Sequence, residues 1–323
     1  MSSTGTPPAR SQNPLRRLVS RGTVAGDALE QLETAVHDIE DQVRDANARI
    51  DKRAGRPLWQ AIAIGLVLGG IFLASLLWLV ELFMLFVTVL AVVAVSELAG
   101  ALKDKGRLRS RWPLAVMTAS MVPVAFYLGP EGQLWSLVAA MGLAVAIRVG
   151  RSVFDTGARS TTLPDIGVAI MVLAYVPFLA GFAVAIAAVP GGQWWVLAGV
   201  IIVVSVDTAA YATGLSFGRT PLAPKISPKK SWEGFAGSLV AAVVAGSLLG
   251  PLMMDVSVWV GVLLGVLLVA SATLGDLVES LIKRDLGIKD ISSWLPGHGG
   301  FLDRLDSMLP SMATLYVMFQ IFG

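Results

Sequence analysis

Between Gly275 and Ser307 the chain sets acidic, basic and glycine residues between two long apolar runs. Asp276, Ser280 and Lys283 recur at i, i+4 and i+7, so on a helix a carboxylate, a hydroxyl and an amine share one face. Asp303 and Asp306 stand three apart, again on one face, with Arg304 between them. Three carboxylates can hold a hard cation such as Mg²⁺, which binds through a few carboxylates and keeps positions for substrate phosphates. Lys283, Arg284, Lys289 and Arg304 can neutralise those phosphates. The run Pro296-Gly297-His298-Gly299-Gly300 cannot continue a helix and lets backbone approach a ligand closely. His298 can serve there as a base or phosphate donor, or only as a hydrogen-bonding strut.

A second basic cluster lies at Lys225, Lys229 and Lys230, with Ser227 and Ser231 among them. These residues can wrap a polyphosphate, helped by the free amides of a helix starting near Ser231. The plainer alternative is a topology signal that also touches lipid head groups. Asp207 sits inside an apolar run, with Tyr211, Gly214 and Gly218 following on one helical face. An ionisable residue at such a depth is costly and points to function, against the alternative of a carboxylate bonded to a neighbouring helix. Glu81 and Glu97, near the two ends of another apolar run, are expected at the membrane interface, and Gly234, Gly237 and Ser238 supply close helix packing.

The elements that must position these residues are membrane helices. A mean hydropathy of +0.71, with 55% hydrophobic and 15% charged residues, is too apolar for a soluble globular chain of 323 residues. The net charge of +2 and pI near 9.0 do not indicate nucleic acid, because Lys and Arg are confined to particular loops. Cysteine is absent, which excludes disulfides and thiolate metal sites.

Residues 1–25, rich in Ser, Thr, Pro, Gly and Arg, read as a disordered cytoplasmic tail with no signal peptide. Residues 26–56 read as a short cytoplasmic amphipathic helix whose Leu29, Leu32, Val36, Ile39, Val43 and Ile50 step by heptads, a coiled-coil candidate that leads us to expect a homodimer. Residues 57–323 read as the transmembrane catalytic domain. The stretch from Leu58 to Leu102 is too long for one crossing and is expected to turn near Leu76 to Val80. Further apolar runs cover roughly 112–129, 133–150, 165–189, 194–216, 233–250, 256–276 and 305–322, so the expected fold is an all-α polytopic membrane protein of about nine transmembrane helices. Basic loops alternate with uncharged ones, which predicts a cytoplasmic N-terminus and places both charged loops on the cytoplasmic side.

The run Ser280-Leu-Ile-Lys283-Arg284, then Lys289-Asp290, then Leu295 through Asp306 resembles the signature of the phosphatidate cytidylyltransferase (CDP-diglyceride synthase) family. The stretch from Phe217 to Phe235 resembles that family's other characteristic segment, and the similarity spans roughly 57–323. At Asp207 the chain departs from the family pattern, with Val206 where Asn is usual and Gly214-Leu215 where Gly-Arg is usual. The resemblance implies transfer of CMP from CTP to phosphatidate, giving CDP-diacylglycerol and pyrophosphate in the cell membrane with the active site facing the cytoplasm. It implies Mg²⁺ held by Asp276, Asp303 and Asp306, with a second monovalent or divalent cation as a further expectation. From the residues themselves we expect catalytic roles for Lys283, Arg284, Lys289 and Arg304, and substrate binding by Asp207, Lys225, Ser227, Lys229, Lys230 and His298. CTP, phosphatidate and membrane lipids are the expected partners, with no nucleic acid. Two rivals share parts of this inventory. A CTP-dependent polyprenol or lipid kinase releases CDP, and an ion-coupled transporter would show internal repeats with broken helices, which the sequence lacks.

Overall fold

The structure, a computed structural model, describes residues 58–154, 162–292 and 300–323. The expected N-terminal tail, the heptad helix at 26–56 and His298 lie outside the described residues. Two units divide the chain, Met1–Ile62 and Ala63–Gly323, and the site belongs to the second.

Its helices follow the apolar runs because a chain in hydrocarbon must satisfy every backbone polar group internally. α1 (Leu58–Trp78) and α2 (Val80–Asp104) are separated at Leu79, whose extended backbone (φ −142°, ψ 91°) makes the expected turn. α3 (Trp112–Phe154) contains Gly129 at φ 63°, a conformation that favours glycine. Arg148, late in α3, donates to the Ser110 carbonyl at 3.5 Å. In a straight helix those positions would stand roughly 57 Å apart at 1.5 Å per residue. α3 therefore doubles back at Gly129, and its two halves are the separate apolar runs seen in the sequence.

α4 (Thr162–Leu173) continues through a π-helical turn, Ala174–Phe178, into α5 (Leu179–Ala187). Pro177 lies in the widened turn, which accommodates a residue that lacks an amide donor. α6 (Gly192–Phe217) leads into a hairpin of β1 (Pro221–Ala223) and β2 (Ser227–Ser231), the one departure from helix among the described elements. α7 (Trp232–Met253) and α8 (Val258–Asp285) follow, then the short α9 (Leu302–Leu305) and α10 (Met308–Phe322).

Six helical stretches among the described residues are long and apolar enough to cross a membrane, with Ala63–Trp78 of α1 a shorter apolar helix. Large apolar side chains such as Val116, Val240, Leu248 and Leu252 face outward, as a lipid solvent allows, while Leu98, Leu173, Ile202, Leu264 and Leu315 are fully buried. α7 and α8 meet along glycines: a Cβ on Gly246 would fall 2.2 Å from the Gly261 carbonyl, and one on Gly265 would fall 2.4 Å from that of Ala242. α8 ends where Gly287 (φ 65°) turns the chain and Ile288 donates to the Lys283 carbonyl at 2.9 Å.

Candidate active site

The hairpin is fixed at both ends. Ser231 caps α7 by accepting the Gly234 amide at 3.1 Å, a bond worth about 1 kcal/mol in helix stability. Glu233 accepts the amides of Arg219 and Thr220 at 3.1 and 3.2 Å, which closes the chain where it leaves α6. Gly237 packs so tightly against Thr213 that a Cβ there would meet its hydroxyl at 2.2 Å, as the small residues of this segment predict. Arg284 donates from Nε to the Ile226 carbonyl at 3.3 Å, tying the tip of the hairpin to the end of α8. Lys230 thereby reaches Asp276, Nζ to Oδ2 at 2.5 Å.

α8 carries Asp276, Glu279, Ser280 and Lys283 along one face of its last three turns. Oxygens of Asp276, Glu279 and Asp306 all lie within 4.8 Å of one another. The approach is possible because residue 275 has no side chain: a Cβ on Gly275 would fall 2.1 Å from the Asp306 carbonyl. Glu279 is 1% exposed, pairs through one oxygen with Lys283 at 2.6 Å, and leaves its other oxygen without a partner among the described residues. A buried carboxylate oxygen without a donor is expensive unless something cationic meets it. Three convergent carboxylates with one such oxygen suit a hard divalent cation of the Mg²⁺ class.

Lys283 is shared between Glu279 and Asp303, the latter at 3.1 Å. The second oxygen of Asp303 accepts the Gly300 amide at 2.8 Å. Burial alone would raise the Asp303 carboxyl; its bonds to Glu279, the Gly300 amide and Lys283 outweigh that and hold it below the ordinary range. Asp306 is 9% exposed and accepts the Ser307 amide at 2.7 Å. The Ser307 hydroxyl donates to Asp207 at 2.8 Å, which joins α6 to the same cluster.

The structure thus gathers Asp276, Asp306, Asp207, Lys230 and Lys283. It brings Glu279 into the carboxylate group, a residue the sequence reading did not single out. The signal was present: Glu279 stands three residues after Asp276 inside an apolar helix. Asp303 turns toward Lys283 and Gly300 rather than joining that group. Lys225, Lys229 and Lys289 are exposed and enter no ion pair among the described residues, and Ser227 is half-buried at the start of β2. Arg284 and Arg304 are exposed at the ends of α8 and α9. Glu97, near the end of α2, is 4% exposed and accepts the Ser292 hydroxyl and the Leu302 amide, so α2 grips both sides of the loop that precedes α9.

With that geometry in place, comparison with known proteins is decisive. A model described as the Cytidylyltransferase family matches residues 59–322. The chain belongs to the cytidylyltransferase family. A protein of Mycobacterium bovis named phosphatidate cytidylyltransferase is 37% identical over 279 residues, covering 83% of this chain and 90% of its own. One from Mycobacterium tuberculosis with the same name is also 37% identical, covering 83% and 84%. One from Mycobacterium leprae is 35% identical over 282 residues, covering 83% and 89%. Within this cytidylyltransferase-family chain, both clusters of charge described above fall inside the matched region.

Proposed function

We propose that the protein is a phosphatidate cytidylyltransferase, which transfers CMP from CTP to phosphatidate to give CDP-diacylglycerol and pyrophosphate. The observation that carries this reading is the convergence of Asp276, Glu279 and Asp306 beside Lys230 at one end of a bundle of membrane helices, in a chain of this family. A phosphate oxygen of phosphatidate bonds to the α-phosphorus of CTP, and the bond from that phosphorus to the pyrophosphate oxygen breaks. The nucleophile is already an anion, so the site needs no strong base. What it must supply is electrostatic: two polyanions are brought together and charge on the departing pyrophosphate is offset.

Asp276, Glu279 and Asp306 are the residues to hold Mg²⁺, and Asp207 borders them through Ser307. Mg²⁺ supplies charge neutralisation and polarises phosphoryl oxygens when bound. Lys230 keeps the Asp276 carboxylate oriented. Lys225, Lys229, Arg284, Lys289 and Arg304 offer positive charge to the phosphates of both substrates, and Ser227 adds a hydroxyl at the hairpin. Asp303 holds Lys283 against Glu279 and so steadies the middle of the cluster.

The same reading includes nine crossings: the long helices with α3 counted as two, together with α1 and α10. It places the hairpin and the α8–α9 loop in the cytoplasm, supported by the alternation of basic and uncharged loops. A homodimer through residues 26–56 is supported by their heptads alone.

The test uses the purified chain with CTP labelled on the α-phosphate and phosphatidate in mixed micelles. Label in the lipid product with release of pyrophosphate supports the reading. Release of CDP with a newly phosphorylated lipid assigns a kinase instead, and no turnover of CTP at all removes both.

A further inference from the structure

An apolar cavity of about 330 Å³ lies beside the site, within the size range of small-molecule pockets. Gly69 and Phe72 of α1, Phe83 and Val87 of α2, and Val196 and Val200 of α6 form much of its wall. The remaining side comes from the C-terminal helical rise, where Arg304, Leu305, Met308, Leu309 and Met312 line it. Backbone angles stay helical through Asp306 and Ser307, so positions 302–312 rise as one stretch. On that stretch the cavity residues recur at i, i+4 and i+8, while Asp303 and Asp306 fall on the other face. Arg304 adjoins both faces and is the one charged residue of the wall. From Arg304 to Met312 the cavity runs about 12 Å along the helix, away from the carboxylates.

Its contents can be argued from the lining. The pocket opens on one side beside the exposed Gly69, and its wall offers water one arginine and otherwise hydrocarbon, too few partners to hold it there. A helix from another chain, roughly 10–12 Å across, does not fit. A flexible hydrocarbon chain does, and a guanidinium at the charged end selects an anionic head group. We propose that this cavity is the acyl-chain site for the lipid substrate, with Arg304 at the level of its phosphate and the chain lying between α1, α2, α6 and α10. This assignment rests on the reading of the protein as a phosphatidate cytidylyltransferase. The lipid's phosphate then lies one residue along the chain from Asp303, and the cavity limits which acyl chains are accepted.

Gly69 allows a direct test, because a Cβ there meets nothing within 4 Å. Gly69→Phe fills the cavity without a backbone clash. With the purified full chain, KM for dioleoyl phosphatidate is expected to rise roughly tenfold or more, while KM for CTP and all constants for dihexanoyl phosphatidate stay unchanged. The unchanged constants show that the variant is folded. An independent measurement needs no variant: a phosphatidate with a photoreactive acyl chain should label wild-type peptides containing Phe83–Ala91 or Met308–Met312. Unlabelled dioleoyl phosphatidate should compete and dioleoyl phosphatidylcholine should not. An unchanged dioleoyl KM in the folded variant, labelling elsewhere, or equal competition by phosphatidylcholine, which marks bulk membrane lipid, overturns the proposal. Absence of CMP transfer to either phosphatidate by the wild type is a different result, and it removes the function on which the assignment rests.

Discussion

Ser292 donates its hydroxyl to Glu97 at 2.5 Å, across 195 positions of sequence. The other carboxylate oxygen accepts the Leu302 amide at 3.1 Å, so one side chain on α2 holds the chain on either side of the loop between α8 and α9. Asp303 follows immediately. Glu97→Ala should therefore lower turnover by roughly 10²-fold, the loss of two hydrogen bonds to a buried charge at about 1.5 kcal/mol each. Glu97→Gln should lose much less, since its amide can accept from Leu302 and donate to Ser292. Turnover of both variants at saturating CTP checks this, and equal losses would show that the charge matters rather than the grip.

The carboxylates divide into two groups. Asp276→Asn, Glu279→Gln and Asp306→Asn each remove charge from the converging oxygens, and each should cost about 10²–10³ in turnover. All three should also raise the Mg²⁺ concentration needed for half-maximal rate. Asp303→Asn should lower turnover while leaving that Mg²⁺ requirement near wild type, because Asp303 faces Lys283 and Gly300. Lys105→Gln, in an exposed loop, is the control. A Mg²⁺ titration in which Asp303→Asn shifts as far as Asp276→Asn would place Asp303 among the ligands instead.

Gly275→Ala should act on the same oxygens through sterics alone. Its methyl would lie 2.1 Å from the Asp306 carbonyl and 2.9 Å from Pro310, so α8 and the start of α10 must part. Overpacking of this kind typically costs about 1–3 kcal/mol of stability. Turnover should fall further than stability does, as Asp306 leaves the cluster. Thermal unfolding and CMP transfer measured on one preparation separate the two effects.

Topology can be read with single cysteines in a chain that has none of its own. Lys105→Cys and Pro190→Cys both fall at exposed turns. A membrane-impermeant maleimide added to sealed cells should label Pro190→Cys and spare Lys105→Cys, with the reverse pattern in inverted vesicles. Labelling of Lys105→Cys from outside would invert the bundle.

Much of this was legible in the sequence, because bilayer thickness and backbone hydrogen bonding leave a chain of this hydropathy few options. The turn at Leu79, the division of α3 at Gly129 and the close contact at Gly237 all followed from apolar run lengths and small residues. The carboxylate grouping was only half legible. Spacing put Asp303 and Asp306 on one face, but the partner of each is set by where α8 crosses the 300–307 segment, a tertiary fact with no local trace. Glu279 has no distinguishing local pattern beyond its spacing from Asp276, since an acid four residues before Lys283 on a helix reads as an ion pair, which it also is. The two hydrogen bonds of Glu97 have no local trace in the sequence either. Its burial depends on a loop nearly two hundred residues later.

Arg107, just beyond α2, pairs with Asp285 at 3.4 Å, so the Ser110 end of α3 shares a side with the carboxylate-bearing end of α8. Because α3 doubles back, the Gly129 turn projects from the opposite side of the bundle. A Cβ at Gly129 would meet nothing within 4 Å, though its positive φ favours glycine, which makes Glu131 beside it the better attachment point. An affinity tag or a rigid fiducial domain grafted there would give a particle image its asymmetry, and would keep the handle a full membrane width from the chemistry.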